Sequence, residues 1–166
     1  MSITTVKTRL AQIVAATTGI HRAYAEGPRS LAGPDLPTAV IFAGPSTMER
    51  DGDKNWIEHR TYFIRVYVWP IQTGLDGAAE AARDALLCPV RDMLMAHPGL
   101  GLGGILDPAD FDPETDGPLQ GVWRTVYTGD QPAIFPYSTD AGANYIGTEH
   151  HVLVDEIVKP TRAKFE

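Results

Sequence analysis

The side chains with the widest chemical repertoire in this chain are five histidines, one cysteine and a run of acids. His150 and His151 are adjacent, and adjacent strand residues point to opposite faces, so the pair reads as two separate side chains and not as a chelate. No His-Glu-x-x-His and no second ligand pair at a zinc spacing accompany them. Asp112, Glu114, Asp116 and Gly117 have the offsets of a calcium loop, but Trp123 stands where the bidentate carboxylate must be. Asp51, Asp53 and Asn55 begin the same alternation and then carry Trp56 where the loop needs glycine. Both groups read as solvated turn carboxylates. Gly99, Gly101, Gly103 and Gly104 lack the Lys-Ser/Thr of a phosphate loop and mark a linker. Cys88, beside Leu86 and Leu87, reads as a buried, inert thiol. With no Gly-x-Ser-x-Gly either, an enzyme would have to assemble its site from distant residues such as Glu58, His59 and His151. No catalytic residue, metal or cofactor is expected.

The elements that would position these groups follow from periodicity. Ile3, Val6, Leu10, Ile13 and Val14 recur at helical spacing and predict a helix over residues 3–17, stopped by Gly19. A short strand at Ile20–Ala25, a Gly/Pro-rich connection at Glu26–Pro37 and an apolar strand at Thr38–Ala43 come next. Ser46–Asn55 is polar enough for the tip of a long hairpin. In the strand Trp56–Trp69, Tyr62, Ile64, Val66 and Val68 share one face and Phe63, Arg65, Tyr67 and Trp69 the other, so both faces should be partly covered. Residues 76–97 predict a second helix with Asp76 as N-cap and a kink or restart near Cys88, because Pro89 removes a donor and crowds the carbonyl of Ala85. A turn-rich acidic segment, Asp107–Gly117, leads to a strand at Gln120–Thr128, a long connection at 129–144 and a last strand at Tyr145–Val158. The order α-β-β-β-α-β-β predicts an α+β fold: one domain over residues 1–166, a mainly antiparallel sheet with two principal helices on one face, and long loops at about 44–55 and 129–144.

The chain has 166 residues, room for one core. Its 14 Lys+Arg against 21 Asp+Glu are unevenly spread: net +1 over residues 1–91, −10 over 92–158 and +2 over 159–166. Arg124 is the one Lys or Arg in the acidic stretch, which argues against a generic nucleic-acid-binding surface there. Trp56, Tyr62, Tyr67, Trp69, Trp123 and Tyr127 read as core and subunit interface for the same reason. Lys7 and Arg9 have no apolar stretch and cleavage site behind them, so no secretory signal is read, and no run approaches the length of a membrane helix.

This layout, with the strand His59-Arg-Thr-Tyr-Phe-Ile-Arg-Val-Tyr-Val-Trp69, the alanine-rich helix from Ala78 and the strand Tyr145-Ile-Gly-Thr-Glu-His-His-Val-Leu-Val-Asp155, resembles the tail terminator (tail completion) proteins of long-tailed bacteriophages across nearly the whole chain. The resemblance implies a non-enzymatic virion protein of the tail and neck, assembled in the host bacterial cytoplasm. It implies self-association into a ring, of the hexameric kind, that caps the tail tube, ends its polymerisation and meets the head connector or stopper. DNA would pass through without specific binding, and no membrane is involved. The alternatives are another neck component, a head-tail stopper or head completion protein, or a small cytoplasmic enzyme. On this reading Glu49, Asp51, Asp53, Arg60, Arg65, Gln131, Ile134, Phe135 and Tyr137 are the expected partner contacts. Asp107, Asp110, Asp112, Glu114 and Asp116 are expected to face the channel, where carboxylates would repel DNA phosphates.

Overall fold

A computed structural model describes residues 2–31, 33–52, 55–71, 77–137 and 144–159. The first helix, α1 (Ile3–Ala15), starts where the Ser2 hydroxyl accepts from the Thr5 amide. It buries Val6, Leu10, Ile13 and Val14 of the stripe read from the sequence, whereas Ile3, in the first turn, is exposed. A three-residue strand β1 (Arg22–Tyr24) follows, then β2 (Thr38–Asp51) and β3 (Asn55–Ile71). Helix α2 (Gly77–Met95) precedes the final pair, β4 (Val122–Pro136) and β5 (Asn144–Val158).

These strands make one sheet in the order β1-β2-β3-β5-β4. Only β1 and β2 run parallel, so the α+β class and the mainly antiparallel sheet are as expected. Both helices cover one face. There Val6, Leu10, Leu86, Val90 and Leu94 pack with Ile41, Ile64, Val66, Ile146, Val152 and Val154. On the second face a smaller cluster joins Leu31, Val40, Tyr67, Phe135, Tyr137 and Tyr145. Tyr67 is its hub: the rings of Phe135, Tyr137 and Tyr145 meet it edge-on at 5.9, 5.4 and 5.8 Å. The covered second face expected from β3 is therefore supplied in part by the chain's own connection before β2.

The two long loops are corrected. Residues 44–51 continue β2 and pair with β3 from Ser46↔Arg60 to Asp51↔Asn55, and Gly52 lies in a turn just beyond the last pair. Residues 129–136 belong to β4; the rest of the expected loop, 138–143, lies outside the described residues, as does Asp76. The first stretch is polar because the outer ribbon is exposed, and the second is an edge strand in which only Phe135 is buried, so neither carries the sustained apolar alternation of a covered strand. Irregularities between Val122 and Arg124 and between Tyr127 and Gly129 also move Val122 off the face of Arg124 and Val126. Pro89 lies inside α2 without ending it, since both Pro89 and Ala85 are exposed and the freed carbonyl is left to water. Cys88 is exposed, not buried, because the inward stripe of α2 is Leu86, Val90 and Leu94.

Candidate functional site

The sheet face opposite the helices carries two rows of polar groups, laid out by strand register. In the outer row His59 of β3 is opposite Asp155 of β5, which is opposite Arg124 of β4. Asp155 is fully buried, with His59 Nδ1 2.5 Å from Oδ1 and Arg124 Nε donating to Oδ2. His59 Nε2 meets Glu49 of β2 at 3.1 Å. Hydrogen bonds to Asp155 and Glu49 hold the imidazolium and raise the His59 pKa above its ordinary value. Four strands are thus stitched by one chain of alternating charge.

In the second row Arg65 Nε donates to Glu149 at 2.7 Å, and His151 and Gln131 reach the other carboxylate oxygen at 2.7 and 3.3 Å. The Arg65 guanidinium sits between the rings of Phe42 and Phe135, 4.9 and 5.0 Å from their centroids. Burial alone would raise the Glu149 pKa, but the bonds from Arg65 and His151 outweigh it and hold the carboxyl below the ordinary range.

On the helix side, His150 is completely buried. Its Nδ1 is 2.8 Å from the Tyr127 hydroxyl and its Nε2 3.0 Å from Thr148 Oγ1, while Tyr127 donates to Asp130 at 2.7 Å. With Tyr127 donating outward, His150 donates from Nδ1 and accepts at Nε2, the neutral tautomer. Desolvation dominates and lowers its pKa to about 4. The sign follows by linkage. Between about pH 6.5 and 4 the unfolded chain binds a proton at this position that the folded protein excludes, so stability falls with falling pH, by on the order of 3 kcal/mol for this group. His59 works oppositely, its contribution being held below pH 6.5 and lost as pH rises through its raised value. Urea unfolding of wild type and His150→Leu at pH 7 and pH 5 checks the first claim: the wild type should lose more stability on acidification than the variant. An equal loss in both would refute it.

The expected partner contacts divide. Glu49, Asp51, Gln131 and Ile134 are exposed, whereas Asp53 lies outside the described residues. Phe135 and Tyr137 do not form a free surface, because each is buried against Tyr67 in the second cluster. Arg65 is held by Glu149 and the two phenylalanines. Arg60 braces the β2 irregularity instead of reaching outward, donating to the Gly44 carbonyl at 2.8 Å, Ser46 Oγ at 3.2 Å and Glu58. Asp107, Asp110, Asp112 and Glu114 are exposed and Asp116 is half-buried. Three of them organise turns: Asp107 accepts from the Ala109 amide, Asp112 from Glu114 and Asp116 from Asp112. No group of three metal-ligating side chains converges among the described residues.

Glu58, His59 and His151 are not brought together. Glu58 bonds Arg60, His59 bonds Asp155 and His151 bonds Glu149. Sequence reasoning missed Asp155 as a buried anchor. Its signal is an acid alternating with Val152, Val154 and Val158 in a strand that turns out to have neighbours on both sides. No protein-family model and no curated protein matches the chain. Among the described residues, no helix is long and apolar enough to cross a membrane.

Proposed function

We propose that this chain is a structural subunit of a long-tailed bacteriophage, a tail terminator that closes into a ring, caps the tail tube and joins it to the head connector. The observation that carries this reading is a single sheet with two unlike open edges on opposite sides. Among the described residues, β1 covers only Thr38–Val40 of β2, and β4 has β5 on one flank alone. Copies joined through two different lateral surfaces make heterologous contacts, which close into a ring when the rotation allows. The element order α-β-β-β-α-β-β agrees with the resemblance, and the β2–β3 ribbon projects Glu49, Arg50 and Asp51 at the molecule's end. The acidic turns at Asp107–Asp116 are assigned to the channel wall, where their carboxylates keep DNA from sticking.

Mixing the chain with a tail tube protein from the same virus and imaging the particles by negative stain tests this function. Tubes should end in a ring and stop growing. Uncapped tubes of unchanged length beside a free monomer would overturn it, and binding to the portal-side ring instead would make the chain a stopper. In a reconstruction of the capped tube, a label at Asp110 should lie toward the channel; a label on the outer rim would remove the channel assignment.

A further inference from the structure

The two open edges differ in where they can accept another strand. On β2 the irregularity at Gly44–Pro45 closes the inner end, which leaves Ser46–Asp51 unpaired on its outer side among the described residues. On β4, Pro132 and Pro136 interrupt the donor row in the second half, which leaves Val122–Asp130. Face assignments follow from register. Ser46 and Met48 oppose Arg60 and Glu58, which alternate in phase with the helix-side Tyr62 and Ile64; Thr47, Glu49 and Asp51 therefore lie on the open face. On β4, Thr125 and Tyr127 oppose the helix-side Val154 and Val152, and Arg124 and Val126 lie on the open face.

We propose that Ser46–Asp51 of one copy adds antiparallel to β4 of the next, with Asp51 opposite Arg124 and Met48 opposite Tyr127, so that the Met48 side chain enters the groove between α2 and the β4 edge. This rests on the ring reading and names its lateral contact. The groove has a volume of about 250 Å³ and is lined by Leu94, Met95, Pro98, Thr125, Tyr127 and Val152, with Val126 at its rim. Met48, Met95 and Val126 are 50, 60 and 37% exposed, high for apolar side chains. This single register puts Met48 on the same face as the groove and beside it. It also puts the Asp51 carboxylate beside the Arg124 guanidinium, on the open face that both share. Charge selects the direction, since a parallel strand would carry Glu49 and Asp51 toward Asp130. Backbone pairing supplies attraction along the strand, and methionine, unbranched and flexible, suits an irregular groove. The contact is heterologous, so each copy keeps its own β4 for a further neighbour.

Cysteines test the register in a Cys88→Ser background. Arg50 and Thr125 fall directly opposite in the proposed pairing. Arg50→Cys alone and Thr125→Cys alone should stay uncross-linked under mild oxidation, their mixture should give only a disulfide dimer, and the double variant should give a ladder. Met48→Glu should weaken self-association in sedimentation at least tenfold with unfolding unchanged, since the side chain is exposed. Self-linking by either single variant, or wild-type association that neither cross-links in the mixture nor responds to Met48→Glu, would overturn the pairing while leaving tube capping to judge the ring reading. A wild-type chain that stays monomeric up to about 1 mM would overturn the pairing as well. Cross-linking that succeeds in a chain that does not cap tubes would uphold the contact and remove the terminator.

Discussion

Gly147→Ala should unfold the protein or lower its stability by more than about 4 kcal/mol in urea titration. Gly147 sits in β5 opposite Tyr67, where β3 departs from regular pairing between Tyr67 and Trp69. A Cβ built there would lie 2.0 Å from the Val66 carbonyl oxygen. That oxygen belongs to the backbone of the neighbouring central strand, so no side-chain rotation relieves the overlap. The two strands must separate, and with them Val66 and Ile146, both completely buried in the helix-side core. The same substitution at Gly33, where a Cβ meets nothing within 4 Å, should change stability by no more than about 0.5 kcal/mol. Near-equal midpoints for the two variants would show that the sheet can open at this point without cost.

Arg9→Ala should cost about 3–5 kcal/mol and loosen the acidic segment before the rest of the fold. Arg9 is an 8% exposed arginine on the inward side of α1. Its Nη1 donates to the carbonyls of Leu100, Asp116 and Gly117 at 3.2, 3.1 and 3.2 Å, and its Nη2 donates to Thr115. One guanidinium therefore satisfies acceptors at both ends of the segment 100–117, and alanine leaves them buried or half-buried without that donor. Hydrogen exchange offers a local readout. The Leu102 amide, bonded to the Asp116 carbonyl at 2.7 Å, should lose protection, while the Ile64 and Val66 amides keep theirs. Arg9→Lys should recover part of the loss, because an ammonium donates but cannot span the same fork of acceptors. Uniform loss of protection in Arg9→Ala would mean that the arginine supports the whole core and not this segment.

Arg9 also shows how far a sequence can be read. The spacing of Val6, Leu10, Ile13 and Val14 gives the helix, and the charge of Arg9, like the polar Lys7 and Gln12, points it away from that apolar stripe toward solvent; the structure overturns this and buries it. The carbonyls that bury it lie more than ninety residues away along the chain. The outer ribbon and the second half of β4 are hidden for a related reason. A strand that exposes both faces, or stands at an edge, is held by backbone hydrogen bonds to its neighbour, and composition does not record those bonds. Phe135 and Tyr137 suggest a docking loop until Tyr67, on a strand far away in sequence, proves to be their partner.

The two helices, the α-β-β-β-α-β-β order and the two-faced character of β3 were determined by the sequence alone, because each is written as local periodicity in which side chains three, four or two residues apart share a surface. So was the separation of His150 from His151, a consequence of strand alternation that puts one in the buried relay with Tyr127 and Thr148 and the other beside Glu149. Only the tertiary structure decided that Asp155 is buried between His59 and Arg124, that Arg65 is held between two rings, and that β4 stands at the end of the strand order beside a groove. These depend on strand order and register, which bring together residues from distant parts of the chain. No window of neighbouring residues contains that information.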